Sequence, residues 1–161
     1  MQAKRKICRS FQRLTEAGIT GYNKKNPIRF MGGTVMKETL TVLGTGNALA
    51  TRCYNTCFAV ENSRKEVLLV DAGGGNGILR QLQDAGMDAA AIHHIILTHA
   101  HCDHMLGLVW MVRKIGTLIR TGKYEGDLTI HCAKKNEARL RAMCEATLEQ
   151  RFCRDRKGAH V

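Results

Sequence analysis

The sequence predicts an α/β chain, and three observations carry that prediction. Short β-branched apolar runs, Leu40-Thr-Val-Leu43, Val67-Leu-Leu-Val70 and Ile95-Ile-Leu97, have the length and composition of strands. Between and after them lie stretches with apolar residues at helical spacing, Ile78 to Ala85 and Met105 to Val112. Sixteen glycines and a single proline supply turns without breaking the periodic segments.

The elements follow in order. A strand is expected over 38–43, closed by the Gly44-Thr45-Gly46 turn. Segments 55–60 and 66–70 read as two strands of a hairpin turning about Asn62-Ser63-Arg64. Gly73 to Gly77 is expected to be a mobile turn. It lacks both the Gly-Lys-Ser/Thr ending of a phosphate loop and the Gly-x-Gly-x-x-Gly of a dinucleotide site. A short amphipathic helix covers 78–85, with Gly86 placed to end it. His93 and His94 are expected at a solvated edge ahead of the strand 95–97, and a helix covers 105–112. A further strand starts at Asp127 and runs through Ile130, and His131 sits in its Leu128-Thr-Ile-His-Cys132 stretch, facing the core or a sheet neighbour. Residues 134–150 read as a helix with an apolar stripe of Ala138, Leu140, Met143, Ala146 and Leu148.

The chemistry concentrates in Thr98-His99-Ala100-His101-Cys102-Asp103-His104. These residues fall where a strand hands over to a helix, the end of a strand at which ligands gather in α/β proteins. In an extended turn His99 and His101, two residues apart, point the same way. Their nitrogens can then meet one ion at about 2.0–2.1 Å. Asp103 and His104 lie further round and are better placed for a second ion. Two metals about 3.5–4 Å apart suit hydrolysis of a phosphoester or amide. The plainer alternative is a solvated turn rich in histidine, which the apolar strand and helix on either side argue against. Cys102 sits inside the motif and is given no role.

The motif His99-Ala-His101-Cys-Asp103-His104 resembles the His-x-His-x-Asp-His signature of the metallo-β-lactamase superfamily. Leu40-Thr-Val-Leu-Gly-Thr-Gly46 and Val67-Leu-Leu-Val-Asp-Ala-Gly73 extend the resemblance over residues 37–120. Gly44-Thr45-Gly46 and Gly107-Leu108 are most similar to the ribonuclease Z branch. The resemblance implies the N-terminal half of an αβ/βα sandwich, a mixed sheet with helices packed on it. It implies that His99 and His101 bind a first zinc ion and that Asp103 and His104 bind a second. Asp103 would also act catalytically by orienting or deprotonating the attacking water, and Asp71 would support the site without ligating. Zinc lowers the pKa of a water to about 7. RNA, or another phosphodiester, is the implied substrate.

The departure from the family is as informative. Members draw further ligands from their second half, two histidines and a bridging aspartate. Only 57 residues follow His104, and they hold His131 and His160. His131 comes too early for the next ligand, and His160 lies in an unpatterned tail. Asp127 and Asp155 lie in a turn and in that tail. The alternative function is therefore a truncated, non-catalytic remnant with an incomplete metal site. Its uncovered sheet face would favour association, including a homodimer.

Charge and cysteine content bound the rest. The formal net charge of +11 is uneven: residues 1–35 carry eight Lys/Arg against one Glu. Segment 1–35 reads as a basic disordered leader, 36–150 as the incomplete domain and 151–161 as a tail. Such an arm can bind nucleic acid through phosphate neutralisation. Met36 is expected to be the true start, because codons for Gly32-Gly33 can spell a ribosome-binding sequence. Seven cysteines without a Cys-x-x-Cys suggest reduced thiols in the cytoplasm. No apolar run approaches the roughly 18 residues of a membrane span.

Overall fold

The structure, a computed structural model, describes residues 38–149. The basic leader, Met36, Asp155, His160 and the tail 151–161 lie outside the described residues.

Five strands form one sheet in chain order. β1 (Thr39–Gly44), β2 (Cys57–Glu61) and β3 (Val67–Val70) make an antiparallel meander. The β2–β3 hairpin turns at Asn62, whose side-chain oxygen accepts from the backbone N–H groups of Arg64 and Glu66. From β3 onward the pairing becomes parallel. β4 (Ile92–Leu97) joins β3 through α1 (Gly77–Asp84), and β5 (Thr129–Cys132) joins β4 through α2 (Cys102–Arg120). α3 (Lys134–Thr147) follows. Parallel neighbours need such crossovers, because a tight turn cannot bring the chain back to the same end. The mixed sheet with helices packed on it is the expected architecture.

Period-two alternation divides the strands into two faces. Leu43, Cys57, Ala59, Val67, Leu69, Ile95, Leu97, Ile130 and Cys132 point inward and are all buried. They share one core with Ile78 and Leu82 of α1, with Leu108, Met111 and Ile115 of α2, and with Leu140 of α3. α2 is the central helix because its apolar residues recur at i, i+3, i+4 and i+7 from Leu108. Tyr124 anchors the α2–β5 connection by donating its hydroxyl to Ile92 O at 2.8 Å. Burial raises the pKa of this phenol, so it stays a donor.

Three expectations need correction. His93 and His94 belong to β4 itself, which starts at Ile92. Polar side chains are tolerated there because His94 lies on the sheet face away from the helices. The second helix is longer than the expected 105–112, beginning at Cys102 and running to Arg120, so Asp103 and His104 stand in its first turn. In α3 the buried row is Asn136, Leu140 and Cys144, a strict i+4 series, while Ala138 and Ala146 are exposed. Alanine is apolar enough to join a stripe on paper, yet too small to decide which way a helix turns.

Candidate metal centre

The site forms at two adjacent strand ends. β3 and β4 run parallel, so the residues that follow them, Asp71 and Thr98, emerge side by side. The backbone N–H of Asp71 continues the ladder, donating to Ile96 O at 2.8 Å. Asp71 then adopts φ +56°, the left-handed region. Aspartate is among the few side-chain-bearing residues that visit it routinely, at a cost on the order of 1 kcal/mol. This turn aims the carboxylate at the motif.

Asp71 is 4% exposed and both its oxygens are engaged. Oδ1 accepts from the backbone N–H of Thr98 at 2.9 Å. Oδ2 accepts from Thr98 Oγ1 at 2.6 Å and stands 2.7 Å from His104 Nδ1. A carboxylate offers no proton, so Nδ1 of His104 is the donor, and in the neutral ring the lone pair falls on Nε2. The same logic reaches His99. Thr98 Oγ1 spends its proton on Asp71, so its oxygen accepts from His99 Nδ1 at 3.0 Å. In the neutral His99 ring the lone pair then falls on Nε2 as well. One buried carboxylate thus assigns the tautomers of two histidines, directly and through a threonine hydroxyl.

The freed nitrogens face the other donors. His99 Nε2 is 3.1 Å from His101 Nδ1. Two nitrogens each bound at about 2.0–2.1 Å to one ion stand at this kind of separation. His104 Nε2 is 3.5 Å from Asp103 Oδ2. The rings of His99 and His104 approach to 4.0 Å between centroids, which brings the two pairs together. One donor atom from each of Asp71, His99 and His104 lies within 4.8 Å of the others. With its oxygens committed to Thr98 and His104, Asp71 is better suited to hold ligands than to be one. Imidazole nitrogens and carboxylate oxygens are the donors a divalent transition ion takes; among the described residues His101 and Asp103 stand beside the group of Asp71, His99 and His104 rather than within it. His131 and Asp127 take no part in the cluster: His131 lies on the open sheet face beside His94.

The glycine segment after Asp71 is tied down rather than mobile. Tyr54 is the clamp, and sequence reasoning missed it. Its hydroxyl donates to Ala72 O at 2.9 Å or Gly75 O at 2.8 Å, and Gly75 N–H approaches it at 3.4 Å. Burial pushes the Tyr54 phenol up to about 12. A Cβ at Gly73, where φ is +67°, would lie 2.4 Å from the Tyr54 ring. α2 closes the other side: Ala72 N–H donates to His104 O at 3.1 Å, and Gly107 N–H to Gly73 O at 2.8 Å. A Cβ at Gly107 would stand 1.8 Å from Ala72 O, so only glycine lets the helix approach this closely. Thr98 was the other omission. Its place directly before the motif was visible, but its task depends on β3 and β4 pairing in parallel.

Residues 38–141 match the family model described as Anti-Pycsar protein Apyc1. The chain belongs to this family. Among curated relatives it is 34% identical over 98 residues to Ribonuclease Z of Bacteroides thetaiotaomicron, a match covering 61% of this chain and 29% of that protein. It is 35% identical over 69 residues to Anti-Pycsar protein Apyc1 of Bacillus phage vB_BveM-Goe7, covering 43% of this chain and 26% of the phage protein. The metallo-beta-lactamase fold protein YhfI from Bacillus subtilis superposes with a TM-score of 0.54 at 23% identity, over 63% of this chain and 40% of YhfI. The fold is therefore that of the metallo-β-lactamase proteins, and the relatives make the chain ribonuclease Z-like. The chain spans about a third of the length of the curated relatives it matches. No helix among the described residues is long and apolar enough to cross a membrane.

Proposed function

We propose that the chain carries the metal-binding motif of a zinc-dependent phosphodiesterase similar to ribonuclease Z, with RNA or another phosphodiester as substrate. The observation that carries this reading is the Asp71–Thr98 network, which engages Nδ1 of both His99 and His104 and turns their Nε2 atoms toward His101 and Asp103. His99 and His101 would hold one ion, and Asp103 and His104 a second. Bound zinc supplies Lewis acidity toward a phosphoryl oxygen and makes a water nucleophilic near neutral pH. The protein's own residues do the rest. Asp103 stands in the first turn of α2, at the positive end of the helix dipole. Its carboxylate would orient the attacking water or take its proton. Asp71, buried and fully engaged, keeps the imidazoles from rotating.

A second reading keeps the fold and removes the turnover: a remnant that holds its ion weakly and does not catalyse. The motif donors all come from one strand–helix junction, from one side of the site. Hydrolysis of a bis-aryl phosphodiester, compared between the parent chain and His101→Ala, separates the two. Zinc-dependent turnover lost in the variant supports the enzyme. Turnover unchanged in the variant rejects the assigned residues, and no turnover in either supports the remnant.

The setting we propose is cytoplasmic. Among the described residues Cys53, Cys57, Cys102, Cys132 and Cys144 form no disulfide, and burial pushes the Cys57 thiol up to about 12, where it is inert. A homodimer joined through the β1 edge of the open sheet face is also proposed, resting on Leu40 and Val42, which are 62% and 57% exposed there, on the strand farthest from β5.

A further inference from the structure

The open face of the sheet carries a second pair of histidines, on β4 and β5. The register places His94 opposite Thr129, and His131 opposite Ile96, two positions further along. On parallel strands this is a diagonal relation, within reach of two long side chains on the same face. His94 Nδ1 and His131 Nε2 stand 3.1 Å apart, and the rings lie 5.3 Å apart, tilted by 31°.

We propose that His94 and His131 form a separate two-imidazole site for a borderline divalent transition ion, with nickel, copper and zinc as the class it takes. The spacing is the first argument. Two nitrogens bonded to one ion at about 2.0–2.1 Å stand about 2.9 Å apart at a right angle and about 3.4 Å apart at the tetrahedral angle. The observed separation lies between these limits and equals the 3.1 Å between His99 and His101. Rigidity is the second. Both imidazoles project from paired strands of one sheet, so the chain does not have to close a loop to bring them together. Access is the third: His94 is exposed and His131 half-buried, leaving room for water to complete the coordination sphere.

The site is independent of the motif. His94 precedes His99 by five residues, roughly 16 Å of extended strand, and faces away from the helices. The proposal therefore stands whether or not the motif supports catalysis.

The test is a nickel titration of the 15N-labelled full chain, read as paramagnetic broadening of assigned resonances. Nickel is chosen because it does not oxidise the thiols. The experiment uses His99→Ala/His101→Ala/His104→Ala as background, which removes the motif imidazoles and leaves His93 and His160 in addition to the sheet-face pair. Selective broadening of Thr129, Ile130 and the two ring resonances at substoichiometric nickel is expected. The affinity should fall by roughly tenfold or more in either His94→Gln or His131→Gln, since each loses the intramolecular second bond. His94→Gln changes an exposed side chain and guards against misfolding of the other variant. If broadening spreads diffusely, or survives both single variants, the two imidazoles share only a hydrogen bond and the proposal fails.

Discussion

The two faces of the sheet are made by the same strands and differ in almost everything else. Toward the helices, Ala59, Leu69 and Ile95 are fully buried in one continuous core. On the opposite face Leu40, Val42, Phe58, Val60, Leu68 and Ile96 lie outside that core, and no described element covers them. An antiparallel sheet facing water normally alternates apolar with polar residues. Here the outward positions stay apolar, interrupted by the histidine pair and Thr129. Alternation in the sequence marks which residues share a face; it does not say whether that face is closed.

Substitutions on the two faces should separate sharply. Leu69→Ala should cost about 2–5 kcal/mol in denaturant unfolding, because it opens a cavity under α2. Val42→Ala, on the same sheet but facing out, should cost about 0.5 kcal/mol or less at concentrations where the chain is monomeric. Equal losses would mean that the open face is covered in solution. Gly107→Ala should cost about 1–3 kcal/mol, since a methyl group at that point must push α2 off the Ala72 carbonyl. A shift in thermal midpoint of several degrees, accompanied by weaker zinc binding, would tie this contact to the metal centre. Tyr54→Phe removes the clamp on the glycine segment and should cost about 1 kcal/mol, with faster amide exchange at Gly75.

The smallest expected effect concerns pH. Burial, and then the neighbouring His94, hold the pKa of His131 below the ordinary histidine value. Below about 6.5 the unfolded chain takes up a proton that the folded chain resists, so stability falls with falling pH until the folded value is passed. His131→Gln should flatten that slope between about pH 6.5 and the lower folded value. A slope unchanged in the variant would place the acid sensitivity elsewhere.

Strands, hairpin and crossovers were legible because each depends on local chemistry: β-branched runs, Asn62 in the turn, Gly86 after α1 with φ +67°. The motif was legible for the same reason, its four donors being close in sequence. What escaped were partners distant in the chain. Tyr54 clamps a segment about twenty residues away, and Thr98 serves Asp71 across 27 positions. His94 and His131, 37 residues apart, meet only because β4 and β5 pair in one particular register. The α3 stripe failed differently. Its alanines contribute little on either face, so Leu140 and Cys144 decide the orientation.

The central claim is that Asp71 prepares His99 and His104 for a metal by fixing their protons. It is tested most directly by measuring zinc affinity for Asp71→Asn against the parent by competition with a chromophoric chelator. Both chains should carry His131→Gln, so that the sheet-face pair does not contribute. An amide of the same shape cannot accept both protons, so the affinity is expected to drop about 10–100-fold while the fold is retained. Equal zinc affinity in the two chains would contradict the account.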